Sequence, residues 1–339
     1  MDIELSGKTI SEPIGLYSHR VYLETLLTFN DEVAKSQLQC ALWHKDTAGH
    51  MEEAGAQNGG FQARAAYFAN GREVEVSGRI HADIFHQPKL IPQNSPFRIR
   101  FTMNRDAFVL MSPAPAQGDV QIQYRLKVLE AKLKIRTLQV SPATALAHET
   151  SLQEANARFE IRRVLVKHLA IPQGQMAISH DNIYLGPLPQ RIVLGLVSNE
   201  ALTGSYQTNP FNFQHFNVNY LGIFVNGEMV PQLPFQHNFA QHKYLSDYNS
   251  LFEGTGILFT DKSVCISRAE YPNGYCLWLF DSTPDGACEA CLSIPKTGSI
   301  RLELKFAQPT QQTIHVICYG EFDSMIEIDK YRTVIAPFI

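Results

Sequence analysis

VNYLGIFVNGEMVPQL (218–233) reads as a β-hairpin: a strand-like run from Tyr220 to Val225, then Asn226-Gly227, then a second segment from Glu228 to Leu233. Asn-Gly suits a two-residue type I′ turn because both positions take positive φ at little cost. The chain opens in the same way. MDIELSGKTISEP (1–13) sets Ser6-Gly7 after a short strand-like run that has nothing before it. A sequence that begins inside a hairpin raises the question of what the hairpin belongs to.

Period-two alternation recurs along the whole length, in FRIRF (97–101), QIQYRLKV (121–128) and RLELKF (301–306). In the second run Ile122, Tyr124, Leu126 and Val128 share a face. The phase then shifts to Leu129, Ala131, Leu133 and Ile135, which predicts a bulged strand, with a continuous helix as the competing reading. Turn residues at 92–96 and 272–274 separate the runs, as in β-sandwiches. Helix is sparse. The best candidate is DEVAKSQLQCALWH (31–44), where Val33, Leu38, Ala41 and Leu42 fall on one helical face, and Tyr22 to Phe29 predicts another short helix.

The order of these signals repeats. The strand and glycine turn at 2–7 return at 220–227, and YLETLL (22–27) returns as YLSDYNSLF (244–252). GRIHADIF (78–85) returns as GYCLWLFD (274–281), FRIRF as IRLELKF (300–306), and the run around 126–135 as IHVICYGEFDSMIEI (314–328). The second half carries further strands upstream of its hairpin, within RFEIRRVLV (158–166) and QRIVLGLV (190–197). The first half has no counterpart to them. The pattern predicts two similar β-sandwiches, at 1–145 and 146–339, the first lacking its N-terminal strands.

The 339 residues are enough for two such domains, and 45% hydrophobic against 18% charged residues supports a sizeable core. A net charge of −4 argues against an electrostatic grip on nucleic acid. Asp2 and Glu4 stand where a signal peptide would be basic, no apolar run reaches membrane-spanning length, and no glycosylation sequon occurs. Six cysteines (40, 265, 276, 288, 291 and 318) are too few for a disulfide scaffold and point to reduced thiols. The expectation is a soluble chain made inside a cell.

Four blocks carry a family resemblance: YSHRVYLETLLTFNDEVAKSQLQCALWHKDTAG (17–49), GRIHADIFHQPKLI (78–91), LGPLPQRIVLGLVSNEALTGSYQTNPFNFQHF (185–216) and YGEFDSMIEIDKYRTV (319–334). They resemble the major capsid proteins of Polinton (Maverick) elements and adintoviruses, over about Met1 to Val334. That resemblance implies an all-β double jelly roll: two antiparallel sandwiches side by side with few short helices. It implies homotrimers forming pseudo-hexagonal capsomers of an icosahedral virion, with neighbouring capsomers and a penton or minor capsid protein as partners. Members carry a longer N-terminal region, so the chain matches a truncated, decayed or host-co-opted copy.

No catalytic residue, cofactor or metal ligand is assigned. HADIFH (81–86) invites a metal reading, but on a strand His81 and Asp83 share one face and His86 takes the other, so the metal is declined. Cys288-x-x-Cys291 is a lone pair without the second pair that structural zinc needs. No nucleophile elbow, phosphate loop, dinucleotide fingerprint or His-Glu-x-x-His motif occurs. In RFEIRRVLVKH (158–168), Phe159, Ile161 and Leu165 should face inward with Arg163 interrupting them. Arg158, Arg162 and Lys167 should reach solvent, a genome or an acidic neighbour. NPFNFQHF (209–216) concentrates three phenylalanines, either as an anchor at a junction or as packing within its own domain.

Overall fold

The computed structural model describes residues 1–11, 15–116, 118, 120, 122–283 and 296–336. The first half opens with a hairpin of β1 (Asp2–Leu5) and β2 (Lys8–Thr9), whose turn has Ser6 at φ 49° and Gly7 at φ 79°. Helix α1 (Tyr17–Thr28) follows, then α2 (Asp31–Ala34) and α3 (Gly59–Phe68). Strand β3 (Phe97–Arg100) returns to pair antiparallel with β1, giving the order β2-β1-β3. The short α4 (Asp106–Val109) comes next, and α5 (Pro142–Glu154) leads into the second half. Ser141 caps α5 by accepting from the Thr144 amide, with Pro142 preset for the first turn.

The second half runs β4 (Ala157–Ile171), β5 (Ala177–His180), β6 (Leu185–Pro187) and β7 (Arg191–Ser198). Helix α6 (Asn199–Thr203) and β8 (Phe213–Gln214) precede the hairpin of β9 (Val218–Val225) and β10 (Glu228–Gln236). After α7 (Leu245–Thr255) come β11 (Asn273–Gly274), β12 (Leu277–Asp281), β13 (Thr297–Phe306), β14 (Ile314–Ile328) and β15 (Val334–Ile335). One sheet is ordered β12-β7-β14-β4, with β15 continuing the β7 side of β14. The other is ordered β10-β9-β13-β5, with β6 continuing the β5 edge. Early and late strands interleave in both sheets. That is the strand order of a jelly roll, so the all-β, jelly-roll expectation holds.

Asn226 and Gly227 sit at φ 53° and 89°, as a type I′ turn requires. Part of the expected repeat is visible in the topology. Order β2-β1-β3 reproduces β10-β9-β13, and each hairpin is followed by a helix, α1 or α7. The core cluster of the jelly roll draws on both sheets through Leu194, Leu196, Leu221, Ile223, Leu302 and Leu304, all almost fully buried.

Strands β4 and β14 pair along their full length, and only Ile314–Glu321 of β14 also pairs with β7. The remainder, Phe322–Ile328 against Ala157–Arg163, projects beyond the jelly roll as a two-stranded ribbon, joined by β15 at its far end. The first-half sheet covers it. Ile3, Leu5 and Ile10 join Phe159, Ile161, Ile326 and Ile328 in a second buried cluster.

Three expected elements differ. Residues 121–135 form no strand among those described, and Val128, Leu129 and Ile135 stand exposed. Alternation says which face of a strand would be buried, but a strand exists only within a ladder. GRIHADIF is irregular with one 3-10 turn over Asp83–Phe85, because Asp83 is drawn to Arg20 and Arg163. The helix expected over 31–44 breaks at Ser36, whose hydroxyl donates back to the Glu32 carbonyl, leaving α2 and a 3-10 turn over Gln37–Ala41. The 145/146 division falls inside α5. No described helix is long and apolar enough to cross a membrane.

Gly195 of β7 lies under the Phe213 ring, and a Cβ there would meet Phe213 Cδ1 at 2.5 Å and a Leu277 methyl at 2.8 Å. Gly195→Ala is expected to destabilise the fold by about 1–3 kcal/mol through overpacking, read as a lowered urea midpoint with unchanged slope.

Candidate functional site at the seam

Where the ribbon leaves the jelly roll, charged side chains from both halves meet in a buried seam. Helix α1 presents Arg20 and Glu24 one turn apart, and Arg20 Nε donates to Glu24 Oε1 at 2.8 Å. The same guanidinium reaches Asp83 Oδ1 at 2.6 Å, so one arginine joins the helix to the 81–86 loop. Arg163 of β4 approaches Asp83 Oδ2 at 3.8 Å and donates to the Ile10 carbonyl at 3.0 Å. His81 Nδ1 lies 2.5 Å from Glu24 Oε2, and the His81 amide donates to the Tyr17 hydroxyl at 3.1 Å. On the jelly-roll side, Tyr319 donates to Glu321 Oε1 at 2.9 Å, while Arg191 Nη1 reaches Glu321 Oε2 at 3.3 Å.

Burial works to raise the Glu24 carboxyl, but the hydrogen bond from His81 and the charge of Arg20 outweigh it and hold Glu24 below the usual carboxylate range. Arg20 is desolvated as well, and Asp83 and Glu24 more than restore its charge.

An aromatic pillar continues the seam. Phe211 stacks on Tyr22 of α1 at 4.3 Å and 3°, and the His19 ring meets Phe211 edge-on at 5.4 Å and Phe108 at 5.9 Å. The His19 Nε2 bonds to the Pro210 carbonyl at 3.2 Å. Burial pushes His19 down to about 4 against that carbonyl, and the His168 charge adds to the shift. NPFNFQHF therefore does both things expected of it: Phe211 anchors the first-half helix and Phe213 packs in the jelly-roll core.

The structure relocates several sequence candidates. His81 and His86 do not take opposite faces, because the segment is not a strand; their ring centroids are 5.8 Å apart. Arg163 is buried in the seam, Arg158 is exposed beside Glu327, and Lys167 donates to the Ile183 carbonyl. Leu165 is only half-buried, and Val164 and Val166 are buried instead. Cys288 and Cys291 lie outside the described residues, and Cys40, Cys265, Cys276 and Cys318 are free thiols. Sequence reasoning missed Arg20 and Glu24, whose only signal is their i,i+4 spacing on α1.

Arg20→Ala leaves Glu24 and Asp83 buried without their shared cation and is expected to cost about 3–5 kcal/mol, measured by chemical denaturation. His19 adds an acid-labile element. Unfolded histidine takes up a proton near pH 6.5 whereas folded His19 resists until about 4, so the unfolded state binds more protons in between. Stability should fall as pH drops through that window and level off below it. His19→Gln should flatten that fall by roughly 3 kcal/mol at most, read from urea midpoints across the window.

No protein-family model matches the chain. An uncharacterized protein of Caenorhabditis elegans is 22% identical over 329 residues, covering 95% of this chain and 75% of that one. Among solved structures, a Sputnik virophage chain aligns with a TM-score of 0.35 and 8% identity, covering 53% of this chain and 38% of its own. A PBCV-1 virus capsid chain aligns at 0.34 and 10% identity, covering 57% of this chain and 54% of its own. The mavirus major capsid protein aligns at 0.30 and 9% identity, covering 52% of this chain and 41% of its own. The chain thus spans well under two thirds of the length of each of these three structures.

Proposed function

We propose that the chain is a structural shell protein: two jelly-roll blocks, 1–145 and 146–339, that associate as homotrimers into pseudo-hexagonal capsomers of an icosahedral virion. The observation that carries this reading is the topological repeat, order β2-β1-β3 against β10-β9-β13 with a helix after each hairpin. Three duplicated chains offer six similar blocks, which is what a hexagonal tile needs, and closed rotational symmetry limits growth to a discrete unit. The sequence resemblance to Polinton and adintovirus capsid proteins points the same way. The chain would be made inside the host cell before joining the virion, with neighbouring capsomers and a penton or minor capsid protein as partners and no reaction to catalyse.

A second feature supports association. The first half exposes Val128 at 55%, Ile135 at 71% and Leu138 at 67%. Apolar side chains grouped along one segment mark an interaction surface, and in this reading a second copy of the chain covers them. The competing reading, a co-opted binding module, calls for an aromatic-lined groove. A cleft of about 600 Å³ offers the aromatic rings of Phe216 and His215 alone, beside amides such as Asn212, Gln214, Asn273 and Gln311.

Mass photometry and negative-stain microscopy of the purified chain test the proposal. Trimers with a hexagonal outline are expected, and Ile135→Asp with Leu138→Asp should leave monomers whose melting temperature matches the wild-type monomer. A wild-type chain that stays monomeric at every concentration would overturn the reading.

A further inference from the structure

We propose that Glu24, His81 and His86 bind a single divalent transition-metal ion of the imidazole-preferring kind, such as Zn²⁺, that clamps helix α1 to the 81–86 loop. One donor atom from each residue lies within 4.8 Å of the other two. Glu24 Oε2 and His81 Nδ1 are 2.5 Å apart, and the His81 and His86 rings meet at 77° with 5.8 Å between centroids. Two imidazoles and one carboxylate are a common protein ligand set for such ions, with solvent completing the coordination.

The surroundings hold each ligand in place. Arg20 occupies Glu24 Oε1 at 2.8 Å, which leaves Oε2 turned toward the histidines. The Tyr17 hydroxyl holds the His81 amide, and the His86 amide donates to the Asp83 carbonyl at 3.2 Å, closing the 3-10 turn that brings His86 back beside His81. Asp83 is itself held by Arg20. Outer partners of this kind orient metal ligands. His86 is exposed, so the site has an open entry.

The geometry also says what an ion would change. Ligand bonds near 2.0–2.1 Å put donor atoms about 3.3 Å apart in a tetrahedron. The Glu24–His81 pair would open by somewhat under 1 Å and His86 would close in. The ion would take the place of the proton shared by Glu24 and His81, which moves to the other ring nitrogen or to solvent. Two imidazole nitrogens to one carboxylate oxygen suit an imidazole-preferring ion better than a hard cation that relies on carboxylates. The site lies on a helix and a loop, so it is distinct from a metal centre within a jelly-roll interior. It rests on the seam alone and stands or falls independently of the shell reading.

Cobalt titration of the full chain is the test. Wild type should take up one Co²⁺ with visible ligand-field absorption and no thiolate charge-transfer band from that equivalent, and Zn²⁺ should raise its melting temperature until a chelator reverses the rise. His86→Ala, at an exposed residue outside the ion pairs, should fold like wild type in chelator but lose that equivalent and the Zn²⁺ stabilisation. His81→Ala should also lose that equivalent, at a cost in stability from the lost Glu24 contact, and His86→Gln serves if the alanine variant misfolds. Loss of a direct ligand should weaken binding by more than the roughly 10–100-fold typical of an outer-shell partner. Equal stoichiometry and equal stabilisation in wild type and the His86 variants, or no Co²⁺ spectrum in wild type, would overturn the proposal.

Discussion

The constraint on which the rest of the structure depends is the length of β4 and β14. Each runs 15 residues, roughly 50 Å of extended chain, and only part of that length lies within the jelly roll. The rest is a two-stranded ribbon bearing Phe159, Ile161, Ile326 and Ile328. Two strands alone are marginal in water, and apolar side chains on such a ribbon need a cover. The first-half sheet supplies that cover, and β1, β3 and the 81–86 loop arrange themselves around the need. The two halves are joined by a shared element more than by a surface between finished bodies.

Charge sits at that joint in a way a purely apolar seam would not. Arg20, Asp83 and Arg163 lose hydration on burial, and ion pairs of this kind return little net stability compared with well-packed hydrocarbon. What they add is position. An apolar patch tolerates sliding, whereas Arg20 must meet Glu24 through one nitrogen and Asp83 through another, which fixes helix, loop and strand together. The stacked Tyr22–Phe211 pair does the same with area in place of charge.

Much of this was legible in the sequence, and each failure has a physical cause. Turn chemistry is local: Asn226-Gly227 and Ser6-Gly7 adopt positive φ because of what those residues are, so both hairpins were readable. FRIRF and IRLELKF were readable because their partners lie in the same repeat. The run at 121–135 has the same alternation and forms no strand, since a pattern of apolar residues carries no information about whether a neighbour exists. HADIFH failed for a different reason. Its register as a strand assumed that backbone pairing governs it, whereas Asp83 is held by side chains 63 and 80 positions away in sequence, at Arg20 and Arg163. Long-range charge contacts of that kind have no periodicity to read.

The same contrast bears on how two halves with matching topology come to differ. In the jelly roll, β9 and β13 close against β10 and β5, and the sheet they form packs on a second sheet. In the first half, β1 and β3 have the corresponding places but pack on the ends of β4 and β14, strands that belong to the jelly roll. The second block has a two-sheet core of its own, whereas the first-half sheet and the ends of β4 and β14 bury one another. The first half leaves a run of apolar side chains exposed, among them Val128, Leu129, Ile135 and Leu138, and such a run stands in need of a cover. In the shell reading that need is an advantage: a subunit that satisfies its apolar surface only through neighbours gains stability from assembly, and geometry takes the place that a reactive group holds in an enzyme.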